Sequence, residues 1–443
     1  MIKIKTESNY LAKIFKIKNI RKHGNADRLQ CVSVDFNNVI TDLKAKDGDY
    51  YIFFPVGSAI DPKLLSHLNC YEDSSLNEDP EVTGYFSSKG VVKAANLRSE
   101  KSEGFILPLR EIESFYDCSG LEKYDGQYLD SIKDNLICWK YENPNPTRNQ
   151  STGNKKTRAA LKKTSKIVPQ QFHLHEDTEQ LGRNVHKLNL DDEISVTYKL
   201  HGTSVVLGRV RVKRDLSLFE RVCKFFGLNI QEETYPDSDV LPLYSSRKVI
   251  KNKDYVTGQS NSYYSFDVYT EIARRYGSQI PKNITVYGEI VGQLPSGAWI
   301  QKMKGAGFDY GLDPNSIELF VYRVTFVNHD GTVYELGTPL SKQFCDKYGF
   351  KFVPIFFEGT VRQFLVQNDE EISEYRWPET FVNLIKELYN EKDCYMCKSK
   401  LPEEGVVVIK QRLDKFEAYK QKSHRFLKAE VDELESSEEE QMD

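Results

Sequence analysis

The chain has 443 residues, of which 39% are hydrophobic and 28% charged, a composition typical of a globular protein with two or three domains. No apolar run approaches the roughly 20 residues that a membrane helix needs, and the N-terminus lacks the apolar stretch of a secretory signal. We therefore expect an intracellular, cytoplasmic protein without a membrane partner. The eight scattered cysteines fit such a reducing compartment.

Residues 1–140 alternate short apolar runs with Gly, Asn and Asp. This pattern predicts strands at Leu29–Phe36, Tyr50–Val56, Gly90–Ala95 and Gly104–Leu109. Short strands with frequent turns are typical of a small β-barrel.

A Pro- and Asn-rich stretch that becomes basic separates this region from the rest, over residues 141–168. Its composition is typical of a linker or mobile loop. Two interpretations stay open, a solvated linker and a segment whose basic half contacts phosphates.

Residues 169–428 mix strands and helices, which predicts an α+β domain with antiparallel sheets and flanking helices. The predicted strands are Ile194–Lys199, Ser204–Val212, Ile284–Val291, Ile317–Phe326 and Gly405–Ile409, and the predicted helices are Tyr264–Tyr276, Ser341–Tyr348 and Pro378–Glu391.

The tail, residues 429–443, contains eight acidic and no basic residues, so that the net charge of −4 becomes +4 without it. This composition predicts disorder. The tail is either a solvated end or a weak competitor of phosphate for a basic groove, and we expect the solvated end.

The motif Lys-Leu-His-Gly-Thr-Ser, residues 199–204, indicates a nucleophile at the end of a strand. Strand alternation places Lys199 on the face opposite to Ile194, Val196 and Tyr198. Gly202 allows a tight turn and a close approach to a ligand. A lysine in this position can attack phosphorus when it is partly neutral. Alone, however, the motif also fits an ordinary surface turn.

Two further motifs contain charged residues that a nucleotide or a salt bridge could satisfy. Arg247, in Ser-Ser-Arg-Lys, could hold a ribose or phosphate oxygen, or lie in a solvated loop. Glu289, in Tyr-Gly-Glu-Ile, has apolar neighbours on its strand, so it needs a partner: a sugar hydroxyl, a metal or a basic side chain in a structural salt bridge.

Three later motifs offer stacking, metal-binding and phosphate-binding groups. Phe320 and Tyr322 share one strand face, where a ring stacks on a base or belongs to the core. Glu404, before a Val run, is well placed to hold Mg²⁺ directly or through water. Lys420 and Lys422 share a face if extended, as a phosphate clamp or a solvated face. The pair Cys394 and Cys397 has no second pair of suitable spacing, which favours free thiols over a zinc site.

The order of these elements is more informative than any one of them. Lys-x-x-Gly, Ser-Arg, Gly-Glu, an aromatic strand, Glu-Gly with a Val run, and Lys-x-Lys follow one another over residues 190–425. This order resembles the covalent nucleotidyltransferase superfamily, which contains the RNA ligases, DNA ligases and mRNA capping enzymes.

The motif at the lysine narrows the resemblance to RNA ligases. DNA ligases and capping enzymes usually have Asp where this chain has His201, and Lys-x-His-Gly-Thr is similar to the RNA ligase 2 group. Asn25–Leu29 and Gly90–Ala94 resemble the N-terminal OB module of nick-sealing RNA ligases of the Naegleria and Deinococcus type. The chain departs from that type at two positions. It has His201 and Arg323 where the Naegleria-type ligases usually have Asp.

The resemblance implies an OB-type barrel that binds nucleic acid at 1–140, a basic linker at 141–168, a nucleotidyltransferase domain at 169–428 and an acidic tail. It implies an ATP-dependent, monomeric RNA ligase that joins a 3′-hydroxyl to a 5′-phosphate through a lysyl-AMP intermediate, with Mg²⁺ or Mn²⁺, in RNA repair by nick sealing. By this resemblance, Lys199 is the catalytic residue. Glu404 and Glu289 would hold the metal, and His201 has no assigned role. The implied nucleotide-binding residues are Thr197, Lys199, Gly202, Arg247, Glu289, Phe320, Tyr322, Lys420 and Lys422.

Three alternatives remain at this point. A DNA ligase or a GTP-dependent guanylyltransferase would use the same lysine chemistry, and an RNA-binding protein could retain an inactive nucleotide pocket. The sequence leaves open whether a substrate would be a nick in a duplex or free single-stranded ends.

Overall fold

The computed structural model describes residues 2–5, 9–141, 166–237, 240–252, 266–368, 370 and 372–436. The first fourteen strands lie before residue 141. They are β1 Ile2–Lys3, β2 Ala12–Lys16, β3 Arg21–Lys22, β4 Leu29–Val34, β5 Asn37–Asp42, β6 Tyr50–Phe54, β7 Ser58–Ile60, β8 Ala94–Leu97, β9 Glu100–Glu103, β10 Phe105–Pro108, β11 Tyr128–Leu129, β12 Ser131–Ile132, β13 Asn135–Leu136 and β14 Cys138–Lys140.

These strands form several small antiparallel sheets, and the described residues show no closed barrel. One sheet has the order β10-β6-β2-β11 and another the order β3-β4-β5, with smaller sheets around them. The pairing of β9 with β8 ends at Gly104 (φ +139°), which lies between β9 and β10 and against the Phe53 ring. There the chain leaves the β8–β9 hairpin and pairs with β6. The prediction of short strands is confirmed at β4, β6 and β10, whereas the strand expected at Gly90–Ala95 lies at Ala94–Leu97. The expected barrel is not seen as a continuous ring.

The other fifteen strands belong to the C-terminal part of the chain. They are β15 Glu179–Gln180, β16 Glu193–Tyr198, β17 Thr203–Gly208, β18 Val212–Lys213, β19 Glu233–Thr234, β20 Leu243–Ser246, β21 Ile284–Gly292, β22 Lys302–Met303, β23 Ala306–Gly307, β24 Ile317–Val327, β25 Val333–Glu335, β26 Lys351–Phe352, β27 Ile355–Thr360, β28 Gly405–Lys410 and β29 Glu417–Lys422.

Two mostly antiparallel sheets dominate this part. The five-stranded sheet has the order β15-β29-β28-β16-β27, and the six-stranded sheet has the order β20-β17-β21-β24-β25 with β26 added at β24. Apolar side chains from both sheets, among them Tyr198, Val291 and Phe320, form a common core. The α+β prediction with antiparallel sheets is therefore confirmed.

Helices cover the outer faces of both sheets and close the N-terminal part. Their bounds are Pro62–His67, Leu109–Phe115, Leu181–Asn184, Leu218–Phe225, Val268–Tyr276, Gly337–Tyr348, Val361–Gln367, Trp377–Tyr389 and His424–Ser436. Short 3₁₀ turns lie at Ser74–Leu76, Leu121–Tyr124, Val185–Lys187 and Gly277–Gln279. The described helices include none long and apolar enough to cross a membrane.

The predicted acidic tail does not begin as a disordered segment. The last helix runs from His424 to Ser436, because Phe426, Ala429 and Val431 supply apolar side chains that are buried. The solvated-end expectation is also wrong at Glu430, whose carboxylate accepts hydrogen bonds from Lys422. Residues 437–443 and the basic half of the predicted linker up to residue 165 lie outside the described residues.

The N-terminal part packs directly on the C-terminal part. The buried Glu103 carboxylate accepts a 2.8 Å hydrogen bond from Lys386 and lies 3.4 Å from His424. The His424 ring is also bonded to Asn96 at 2.9 Å, and Arg183 donates to the Leu11 carbonyl at 2.8 Å. Since His424 follows β29, this junction lies two residues from Lys422.

Candidate active site

Lys199 lies in the turn that connects the two large sheets. The turn leaves β16 in the five-stranded sheet and enters β17 in the six-stranded sheet. The Lys199 backbone N–H donates to the Gly405 carbonyl at 3.0 Å, which fixes the turn against the start of β28. A Cβ on Gly202 would lie 2.4 Å from the Ile290 carbonyl oxygen, so only glycine lets the turn pack this closely on β21.

Glu404 is the centre of the charged cluster around this turn. Its buried carboxylate lies 2.7 Å from Lys199 Nζ, 3.8 Å from Lys422 Nζ and 3.8 Å from His201 Nδ1. Burial alone would raise the pKa of Glu404, but Lys199 and Lys422 outweigh burial and lower it. Glu404 Oε2 is nevertheless buried without a hydrogen-bond partner among the described residues. Glu404 is therefore charged and incompletely satisfied.

Glu289 is the second carboxylate of the cluster. It lies on β21 opposite Ser204, whose hydroxyl donates to it at 3.1 Å. Burial raises the pKa of Glu289 to about 7; Lys199 acts against this rise and Glu404 adds to it. The charge of Glu404 thus disfavours the charged form of Glu289, as a nearby carboxylate does.

These two carboxylates fit a divalent cation of the Mg²⁺ type. Such an ion uses one or two protein carboxylates and completes its shell with water and substrate phosphates. The orphaned Oε2 of Glu404 supplies a ligand atom, and Glu289 a second carboxylate. The described residues contain no group of three or more His, Cys, Asp or Glu side chains that could hold an ion without a substrate.

His201 is packed as a structural residue of the turn. Its backbone N–H donates to the Tyr310 hydroxyl at 2.6 Å, and its ring meets Phe308 and Phe426 edge to face at about 5 Å. Burial lowers the pKa of the ring, so the imidazole is neutral. Its contacts orient the lysine turn.

Lys420 and Lys422 lie on β29 beside Lys199. The pKa of Lys420 falls to about 8 through burial and through the positive charges of Lys199 and Lys422. Lys422 donates to both carboxylate oxygens of Glu430 at 2.7 and 2.8 Å, and Glu430 and Glu404 raise its pKa. The three lysines therefore form the concentrated positive charge that a polyphosphate requires.

The aromatic strand β24 places Phe320 and Tyr322 against the same core. Tyr322 is hydrogen-bonded through its hydroxyl to His175 Nδ1 at 2.7 Å, and burial lowers the pKa of His175 to about 4. The Lys351 ammonium lies 5.6 Å from the centre of the Phe320 ring. Tyr322 is thus the ring next to the polar side of the site.

The remaining predicted residues have identified partners. Arg247, after β20, donates to Asp177 at 2.8 and 2.5 Å. Thr197 is buried within β16 and donates to the Val407 carbonyl at 3.3 Å. The Sγ atoms of Cys394 and Cys397 are 3.2 Å apart, as free thiols.

Sequence reasoning did not select His175, Asp177 or Glu430. His175 and Asp177 lie in a polar run before β15, and only the folded chain shows that they meet Tyr322 and Arg247. Glu430 was assigned to the acidic tail, although its helical spacing from Phe426 offered a signal.

The comparison with protein families assigns the chain to a class of ligases. The family model described as RNA ligase matches residues 192–429, more than half of the chain. The chain therefore belongs to the RNA ligase family of ATP-dependent ligases. No curated protein matches the chain.

Solved structures of Naegleria gruberi RNA ligase share the fold over nearly the whole chain. A mutant with ATP and Mn superposes with a TM-score of 0.56 at 17% identity, covering 96% of this chain and 99% of that one. A mutant with AMP and Mn gives 0.54 at 16% identity, covering 94% and 98%. The structure with PPi gives 0.52 at 17% identity, covering 96% and 99%.

Proposed function

We propose that this RNA ligase joins a 3′-hydroxyl to a 5′-phosphate of RNA, through AMP carried on Lys199 and then on the RNA 5′-end. The observation that carries the proposal is the position of Lys199 Nζ, which lies beside Glu404 among the half-buried lysines Lys420 and Lys422. An amine attacks the α-phosphorus of ATP best where positive charge has gathered around the polyphosphate.

Three transfers then balance without a further reactant. Lys199 Nζ forms a bond to the α-phosphorus, loses a proton and releases pyrophosphate. An RNA 5′-phosphate oxygen next attacks the same phosphorus and frees the lysine. Finally the 3′-hydroxyl gives its proton to solvent and attacks the 5′-phosphate, and AMP leaves as the strand is sealed.

The residues around Lys199 divide this work among them. Lys420 and Lys422 hold phosphate oxygens. Arg247 binds a further phosphate oxygen when it releases its present partner, Asp177. Tyr322, or else Phe320, stacks on adenine. Glu289 has two possible partners. It binds a ribose hydroxyl, or in its charged form it holds a cation together with Glu404. The Naegleria gruberi RNA ligase structures with ATP and Mn and with AMP and Mn support this set of ligands.

A divalent cation, Mg²⁺ or Mn²⁺, would be held by Glu404 with Glu289. When bound, it would neutralise phosphate charge and polarise the α-phosphate. In the structure, Lys199 Nζ is paired with Glu404 at 2.7 Å, so the amine must leave this carboxylate before it attacks phosphorus.

We further propose that the N-terminal module, which the sequence likens to an OB fold, binds the RNA strand next to the site, in repair by nick sealing. The junction of Glu103, Lys386 and His424 supports this, because it fixes the module two residues from Lys422.

The test is covalent labelling with α-labelled ATP and Mg²⁺. Wild type and Lys342→Ala, an exposed lysine on the helix Gly337–Tyr348, should take up label, and Lys199→Ala should take none. The proposal fails if wild type takes no label or if Lys199→Ala takes as much as wild type. Labelling by GTP instead would indicate a guanylyltransferase. Nicked duplexes with RNA or DNA on each side of the nick then determine the strand that is sealed.

A further inference from the structure

The segment between β17 and β20 forms an arm with an amphipathic helix at its tip. Strands β18 and β19 pair as a short ladder at its base, and helix Leu218–Phe225 follows β18. Ser217 and Glu220 form a capping box, in which each side chain bonds the backbone of the other residue. The helix is therefore well defined by local contacts.

The polar side of this helix is tied back to the arm itself. Glu220 is paired with Arg214 at 2.5 Å, and Lys224 is paired with Glu232 at 2.5 Å. A surface helix normally turns its polar side to water and its apolar side to the core. Here the ion pairs hold the helix the opposite way round.

The apolar side consequently faces solvent. The exposed fractions of its large side chains lie between 52% and 85%, at Leu218, Phe219, Val222, Phe225, Phe226 and Leu228. The described part of the chain contributes no covering element to this stripe, and no residue of the helix is buried. A contiguous exposed stripe of this kind is typical of an interaction surface.

We propose that the stripe is the contact between two copies of this chain. The three phenylalanines expose roughly 350–600 Å² together, and the three aliphatic side chains add on the order of 200 Å². Two such stripes bury more than the roughly 1,000 Å² of total area that a specific interface requires. A two-fold interface also needs only the same patch on both subunits. This replaces the expectation of a monomer.

The charge of the arm favours a second copy of the chain as its partner, in preference to a lipid surface or a nucleic acid. Residues 212–237 contain four basic and five acidic side chains, so the arm has no excess of positive charge to attract either. The arm also leaves β17 at the end away from Lys199. Nine residues of near-extended chain from Thr203 to Val212 span roughly 30 Å. A dimer formed by this helix therefore leaves the candidate active site open.

The test is the molar mass of the full chain at increasing concentration, measured by light scattering and by sedimentation. Wild type and Tyr375→Glu, a matched exposed aromatic outside the arm, should approach twice 51.2 kDa. The double variant Phe219→Glu/Phe225→Glu should remain at one chain, with dimer affinity weakened about 100-fold or more. Its circular dichroism and its covalent labelling by ATP should match wild type.

Three results would overturn the proposal. One is a wild type that stays at one chain throughout the concentration series. Another is a double variant whose dimer affinity equals that of wild type. The third is a single-chain wild type that sediments with vesicles of phosphatidylcholine and phosphatidylglycerol while the double variant does not, because the stripe then binds lipid.

Discussion

Removing the Arg323 side chain should destabilise the fold unless its partner is removed with it. Arg323 is buried on β24, where it donates a fork of hydrogen bonds to the buried Glu335 at 2.9 and 2.6 Å. Its guanidinium lies between the rings of Tyr287 and Phe416, 4.4 and 4.3 Å from their centres. Arg323→Met leaves the Glu335 carboxylate buried without its cation. We expect a loss of about 3–5 kcal/mol in the free energy of unfolding.

The double variant Arg323→Met/Glu335→Leu should recover most of that loss. Two well-packed apolar side chains can replace a buried ion pair at little net cost, although the lost ring contacts cost about 1 kcal/mol. Urea unfolding of the two single variants and the double variant gives the coupling energy, which we expect to exceed about 2 kcal/mol. Additive single effects, with no recovery in the double variant, would refute the reasoning.

The pair of Arg412 and Asp414 is a matched control. It has the same forked geometry, at 2.9 and 2.8 Å, but is exposed to solvent. Arg412→Met should therefore cost less than about 1 kcal/mol in the same assay. A loss as large as that of Arg323→Met would show that burial is not the cause.

Two further predictions concern the domain junction and the nucleotide. Lys386 and His424 outweigh burial and lower the pKa of Glu103 to about 2, so the stability it contributes is present above about pH 4.5 and is lost as the pH falls towards 2. Glu103→Gln should lower the free energy of unfolding by roughly 3 kcal/mol at pH 7. Urea unfolding at each pH should show that this difference from wild type shrinks in acid. A difference that stays constant with pH would contradict the assignment. Tyr322→Phe should keep the KM for ATP within about 3-fold, and Tyr322→Ala should raise it about 10-fold or more, since a stacked base contributes roughly 1–3 kcal/mol; equal KM values in labelling kinetics would exclude the stacking role.

The order of the sequence motifs predicted which residues meet because it resembles that of the covalent nucleotidyltransferases, and this resemblance assigns the residues to one nucleotide site. Lys199, Glu289, Glu404 and Lys422 surround one turn as that order suggests. Strands β21, β24 and β28 match the predicted ranges to within one residue at each end. Long runs with a clear period leave few alternatives for the backbone.

Partners that are distant in sequence could not be predicted in the same way. His175 meets Tyr322 across 147 residues, and no local pattern specifies that contact. From the sequence, Arg323 was only the replacement of an Asp that is usual in the resembling ligases. In the fold it is a buried cation paired with Glu335. In the tail, acidic composition suggested disorder, but apolar residues at helical spacing, Phe426 and Ala429, decide the structure because they fill a core position.

The helix His424–Ser436 gives Lys422 an acidic partner, Glu430, in addition to Glu404. Under the proposed function, nucleotide binding is consequently an exchange, in which phosphate oxygens take over the lysines and release the carboxylates. A released Glu404 is a better ligand for a cation, so ATP and the metal ion favour each other's binding. Linkage makes that effect reciprocal: the factor by which the metal ion tightens ATP binding equals the factor by which ATP tightens metal binding.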